Sequence, residues 1–152
     1  MVVSLSTHFS LDELTASQTA ARRGIDNTPP PEVVDELRRL CSTVLQPLRD
    51  SIGRPIVVSS GYRSPALNRA IGGAAASDHM HGRAADISVP GMPVAELCRR
   101  IALLRLPYRQ LINEYSAWCH VAIPAVGQPA RREQLTARRA ANGGTVYALA
   151  GF

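Results

Sequence analysis

Two short stretches late in the chain, "AADISV" at residues 84–89 and "WCHVAI" at 118–123, read as strands with two unlike faces. Side chains alternate along an extended chain. Ala85, Ile87 and Val89 therefore make one apolar side of the first, and Cys119, Val121 and Ile123 one side of the second. Faces like these must be covered, so the chain has to build a sheet with a packed side. The opposite sides carry Asp86 and His120. If the two strands are neighbours, this carboxylate and this imidazole meet on the uncovered face.

The cover comes from helical segments. In "IDNTPPPEVVDELRRLCSTVLQPLRDSIG", Val33, Leu37, Leu40, Val44 and Leu48 recur every three or four residues and form one apolar stripe. Its leading prolines sit where a missing N–H costs nothing, and Gly53 supplies a stop. Pro47 is a place for a kink. "MPVAELCRRIALLRLP" predicts a second helix with Val94, Leu97, Cys98 and Ile101 on one face. Shorter helices are expected after Ser10, with Glu13 completing a capping box, and after Ser64, with Pro65 in first position and Gly72-Gly73 as the stop. "RPIVVSS" and "RQLINE" read as further strands, and Asn142-Gly143 marks a C-terminal hairpin whose arginine-rich strands look edge-like. Helices come first and strands concentrate later. The pattern predicts an α+β fold with a small, mainly antiparallel sheet flanked by helices.

A chain of 152 residues is expected to make one domain. Within it we read a helical part at about 9–53, a core at about 54–124 and the hairpin at about 131–150. No apolar run approaches the roughly eighteen residues of a membrane span. The N-terminus lacks the basic-then-apolar pattern of a secretory signal, so the chain is expected to be cytoplasmic when made. Cys41, Cys98 and Cys119 are widely spaced with no CxxC pair, which argues for reduced, buried thiols instead of a disulfide framework or a thiolate zinc site. Cys119 beside His120 could pass for a nucleophile, but no second histidine and acid support it. The net charge is +5, with every basic residue an arginine. Such a surface attracts polyanions in general. Low aromatic content and the lack of any RNP, zinc-finger or helix-turn-helix pattern argue against a specific nucleic-acid partner.

Two of the chain's four histidines lie in "SDHMHGRAAD", Ser77–Asp86. One reading is a solvated polar turn. The other is half of a metal site, with His79 returning through a turn at Gly82 to meet Asp86 and His120. Two imidazoles and a carboxylate form a common catalytic zinc set, with a fourth position for water. Zinc lowers the pKa of that water toward ~7 and polarises a carbonyl, which suits amide hydrolysis.

Residues 77–86 fit the pattern S-x-H-x-x-G-x-A-x-D, and "EYSAWCH" supplies a later strand histidine after a tryptophan. Together with "SSGYRSPALNRAIGGAAASDHMHGRAADI", these stretches resemble the zinc D-alanyl-D-alanine carboxypeptidase family, which includes vancomycin-resistance dipeptidases and several phage endolysins and shares its fold with the Hedgehog signalling domain. The likeness runs from about Phe9 to the C-terminal hairpin and is nearest the compact branch encoded by phages and prophages. It implies one Zn2+ held by His79, Asp86 and His120. It implies Ser77 near the substrate, and Arg63 either stabilising the oxyanion or anchoring the substrate. Trp118 either walls the substrate pocket or covers the end of the sheet, and His81 is expected to be exposed or behind the ligands. Asn68 and Gly72-Gly73 are read as a helix residue and its stop.

Many relatives place an acid three residues before the last histidine, where this chain has Ala117. The nearest acid is Glu114. Six residues of straight strand span roughly 20 Å, too far to reach the same water. A turn at Tyr115-Ser116-Ala117 would bring Glu114 back, and we assign it as the general base. The resemblance implies a peptidase acting on bacterial peptidoglycan stem peptides at D-Ala-D-Ala or L-Ala-D-Glu, either released to the wall with phage help or carried in a virion. The alternatives are an inactive wall-binding module that keeps the metal, and a basic nucleic-acid binder whose affinity would fall with salt and ignore chelators.

Overall fold

The computed structural model describes residues 2–152. The chain opens with a small hairpin, β1 (Ser4–Ser6) and β2 (Phe9–Ser10), and two short helices, α1 (Leu11–Thr15) and α2 (Gln18–Arg23). A long helical stretch follows as α3 (Pro31–Leu40), a π-helical turn (Cys41–Leu45) and α4 (Gln46–Ile52). Then come β3 (Val57–Ser60), α5 (Pro65–Ala70), a 3-10 turn (Asp78–His81), β4 (Ala84–Ser88) and α6 (Val94–Leu103). The strands β5 (Gln110–Glu114), β6 (Trp118–Ala122), β7 (Glu133–Arg139) and β8 (Thr145–Leu149) complete the order. The fold is α+β, as the sequence pattern predicts.

Six strands make one sheet in the order β3-β4-β6-β5-β7-β8. Every pair is antiparallel except β5 with β7. Helices α1, α3, α4 and α6 pack on one face. Leu37, Leu40, Val44 and Leu48 are fully buried and share a core with Ile87, Leu97, Ile101, Leu111 and Val121. Burying each such side chain contributes about 1.5–3 kcal/mol before entropy is counted.

Local signals account for most boundaries. Ser10, Ser17 and Ser64 each cap a helix by accepting a backbone N–H with the side-chain oxygen. Gly53 ends α4 in the left-handed region, at φ 70°. Pro47 does not break the helix. A proline ring clashes with the carbonyl four residues back. The chain widens just before it, where the Gln46 N–H reaches the Cys41 carbonyl five residues away. The hydroxyls of Ser42 and Thr43 bond to the Arg39 carbonyl in the same turn.

Two features differ from the sequence reading. The N-terminal hairpin and α2 carry little periodicity, and the pattern did not expose them. The C-terminal hairpin is not a free edge throughout: β7, which carries Arg138 and Arg139, is an interior strand paired in parallel with β5. Only β8 lies at the edge, and it has no arginine. A pairing that joins segments so far apart has no local turn residue to announce it.

Replacing Leu40 with alanine removes fully buried methyl groups where α3 meets the core. Urea unfolding is expected to show a loss of about 2–5 kcal/mol, with the slope of the transition unchanged.

Candidate metal centre

β4 and β6 are direct neighbours, and their register sets Asp86 opposite His120. Both side chains emerge on the face away from the helices. His79 arrives from the 3-10 turn. Ser77 caps that turn by accepting the His79 N–H, at 3.2 Å. Gly82 closes it at φ 70°, where an added Cβ would stand 2.8 Å from the Val33 carbonyl oxygen. Glycine is required there both for its backbone angle and for its contact with α3.

The three side chains are buried, and their donor atoms lie within 4.8 Å of one another. One carboxylate oxygen is the hub. Asp86 Oδ1 is 2.9 Å from His120 Nδ1 and 3.3 Å from His79 Nε2. His79 Nδ1 is 2.7 Å from the Gly61 carbonyl, which can only accept, so Nδ1 carries the proton. That leaves Nε2 to face the Asp86 carboxylate: with a proton it donates a hydrogen bond to Oδ1, and without one its lone pair is free for a metal ion. In the second form a cation would be shared between Nε2 and Oδ1. Donors bound tetrahedrally at about 2.0–2.2 Å stand roughly 3.4 Å apart, close to the two separations from Asp86 Oδ1. Two imidazole nitrogens and a carboxylate, with one imidazole oriented by a backbone carbonyl, fit Zn2+.

The surroundings hold this set in place. Burial opposes ionisation of Asp86, but hydrogen bonds and charge from His120 and His79 outweigh it and keep the carboxyl well below its usual range. The other oxygen, Oδ2, accepts from Arg63 Nη2 at 3.3 Å. Arg63 is fixed further by Nε to Ser60 Oγ at 3.0 Å and Nη1 to Asn68 Oδ1 at 3.4 Å. Asn68 also donates to the Ala74 carbonyl, so it joins the guanidinium to the loop before the 3-10 turn. This is more than the helix residue expected from sequence. Gly73 is more than a stop, because a Cβ there would sit 2.0 Å from Asn68 Oδ1. At Gly61 a Cβ would meet the Leu14 carbonyl oxygen at 2.3 Å, so α1 rests directly against the strand end that orients His79.

Glu114 ends β5. Tyr115 and Ser116 take left-handed angles, φ 59° and 55°, and the Ala117 N–H bonds back to the Glu114 carbonyl. The reversal sets Glu114 opposite Trp118 and Ile112 opposite His120, which puts the carboxylate on the metal-site face. Burial pushes its pKa up and Asp86 adds to the rise, while His120 and Arg63 pull the other way.

A cleft of about 390 Å3 contains Arg63, Ser77, His79, Asp86, Glu114, Trp118 and His120 together. Arg109, ion-paired with Asp78, and Tyr147 of β8 also line it, and sequence reasoning singled out neither. Trp118 stacks edge-on to Tyr115 with ring centroids 5.8 Å apart. Among the described residues, its Nε1 is the buried side-chain polar atom with no hydrogen-bond partner. His81 is exposed and outside the cleft. The three cysteines are buried on the core side. Cys119 Sγ faces Cys98 Sγ at 3.5 Å, and burial pushes its thiol well up, while Cys41 is pushed to about 12. None of them is a nucleophile for this cleft.

The family model described as Peptidase M15 matches residues 7–122, which span β2 to β6 and all three donor residues. No curated protein matches the chain.

Gly61→Ala is expected to lower the melting temperature. It should also weaken zinc about 10–100-fold, the range for losing an outer-shell partner, in a titration against a chromophoric chelator. Glu114 gives a pH test on the metal-free protein. Its folded pKa lies above the ordinary 4.5, so its contribution to stability is full below that value and lost as pH rises through the folded pKa. Glu114→Gln should therefore melt higher than the parent at pH 7, and the gap should close below about pH 4.5 in thermal scans.

Proposed function

The chain belongs to the peptidase M15 family, and from that we propose that it hydrolyses an amide bond in the stem peptide of bacterial peptidoglycan, at D-Ala-D-Ala or L-Ala-D-Glu. Members of this family are zinc-dependent peptidases, and the chain carries a His-Asp-His set able to hold the ion. The observation that carries the reading is the convergence of His79, Asp86 and His120 with Glu114 and Arg63 in one open cleft. The net charge of +5 suits an anionic wall. Among the described residues, no helix is long and apolar enough to cross a membrane. We place the chain with phage-type lysins on the resemblance of its motifs, reaching the wall with phage help or within a virion. We take residues 1–152 as one peptidase unit, because a single apolar core joins the helices to the sheet.

His79, Asp86 and His120 would hold one Zn2+. When bound, the ion supplies Lewis acidity that polarises a substrate carbonyl and makes water a stronger nucleophile at neutral pH. Glu114 accepts the proton released as water attacks and passes it to the departing amine. Arg63 stays charged and keeps donors beyond those used by Asp86, Ser60 and Asn68, so it can meet the negative charge that grows on the carbonyl oxygen. The Ser77 oxygen accepts the His79 N–H, which leaves its own hydrogen free for the substrate.

The test is digestion of purified wall fragments followed by mass spectrometry. Cleavage is expected to stop with a chelator and return with zinc. Glu114→Gln should keep its zinc and lose about 10²–10⁴ in kcat. A variant that cleaves as fast as the parent would remove Glu114 as the base. A protein that binds wall and zinc but cleaves nothing would favour the inactive binding module instead.

A further inference from the structure

The C-terminal hairpin lies beyond the residues that match the family model, yet it reaches the cleft. Four neighbouring strands carry one row of side chains on the metal-site face. Trp118 of β6 lies opposite Glu114 of β5, Glu114 opposite Ala137 of β7, and Ala137 opposite Tyr147 of β8. Partners in register share a face of a sheet. Ala137 is the smallest member of the row and is 1% exposed. An alanine there leaves room for the Tyr147 ring to lean across β7 toward Glu114.

The turn end of the hairpin is tied to the β5–β6 turn. Tyr115 Oη and Thr145 Oγ1 are 2.5 Å apart, and the Arg139 guanidinium sits 4.6 Å from the centroid of the Tyr115 ring. Tyr115 in turn packs against Trp118. The hairpin is thus fastened beside the general base while Tyr147 itself stays 55% exposed. A core residue would be covered, whereas this one presents a phenol to the open cleft.

We propose that Tyr147 is a substrate-contacting residue, walling the cleft beyond Glu114 and donating a hydrogen bond to the peptide, and that the hairpin sets specificity for a stem peptide lying across the strands from Arg63 to Tyr147. This rests on the peptidase reading above. Arg63 and Tyr147 mark the two banks, with the metal ligands and Glu114 between them. A phenol suits the task because it joins a flat apolar wall to a hydroxyl donor. The contact serves binding and leaves the proton transfers to Glu114.

The test uses the zinc-loaded full chain and a synthetic stem pentapeptide ending in D-Ala-D-Ala. Steady-state kinetics are measured on the parent, and calorimetric affinity on the Glu114→Gln background. Tyr147→Ala is expected to raise KM and Kd about tenfold, Tyr147→Phe to recover part of the loss, and Val146→Ala, on the opposite face, to change neither. Zinc content and melting temperature should match the parent throughout. Cleavage and affinity indifferent to Tyr147→Ala would overturn this proposal and leave the peptidase reading standing. So would a loss of zinc or of melting temperature in step with KM, because it would make Tyr147 a structural prop. If the peptide binds without being cleaved, the affinity series decides alone. A parent that neither binds nor cleaves it overturns both.

Discussion

A carboxylate buried to 6% exposure is the constraint around which the structure is arranged. An isolated ionised group at that depth would be prohibitively costly, and it survives only when ringed by partners. Asp86 has three: one oxygen faces both histidines and the other faces Arg63. Each partner comes from a different part of the chain, namely β6, the 3-10 turn and the segment after β3. The carboxylate can be buried only if all three segments dock. Conversely, the Arg63 guanidinium can be buried there because a negative charge sits beside it. The carboxylate's demand for opposite charge, with two imidazole nitrogens beside it, makes the place fit for a divalent ion.

Close backbone approaches serve that centre. Gly61, Gly73 and Gly82 each lie where a Cβ would collide with a carbonyl or with the Asn68 amide. None of the three is needed for a turn alone. At Gly61 the absent side chain lets α1 press on the strand end whose carbonyl orients His79. At Gly73 it lets Asn68 reach both Arg63 and the Ala74 carbonyl. Asn27 adds a similar clamp, donating to the Thr15 and Tyr62 carbonyls and accepting from the Ser64 N–H. The helical N-terminal part is therefore a support for the ligands as well as a cover for the sheet.

Much of this was legible before any coordinates. The alternation in "AADISV" and "WCHVAI" foretold a packed face and a ligand face, and the stripe through Val33 and Leu48 foretold the cover. The caps at Ser10 and Ser64 were readable, while those at Ser17 and Ser77 were not. The helix through Pro47 was readable too, but not how the chain accommodates the proline, because a π-helical turn leaves no residue pattern of its own. The interior place of β7 was missed for a related reason. Its arginines read as edge protection, and nothing local reveals a parallel partner more than twenty residues earlier in the chain.

The residues themselves determined which atoms were available: two histidines and an aspartate on or near ligand-bearing faces, a nearby glutamate, thiols confined to apolar faces, and glycines at tight places. Periodicity and capping are short-range effects, so they survive in the one-dimensional string. What the string left open was distance. Only the folded chain decided that β4 pairs with β6 in the register that joins Asp86 to His120, that left-handed angles at Tyr115 and Ser116 return Glu114 to the cleft, and that a hairpin from the far edge contributes Tyr147. Those outcomes depend on strand order and register, which arise from the whole core finding its best packing at once, and no local window of sequence contains that information.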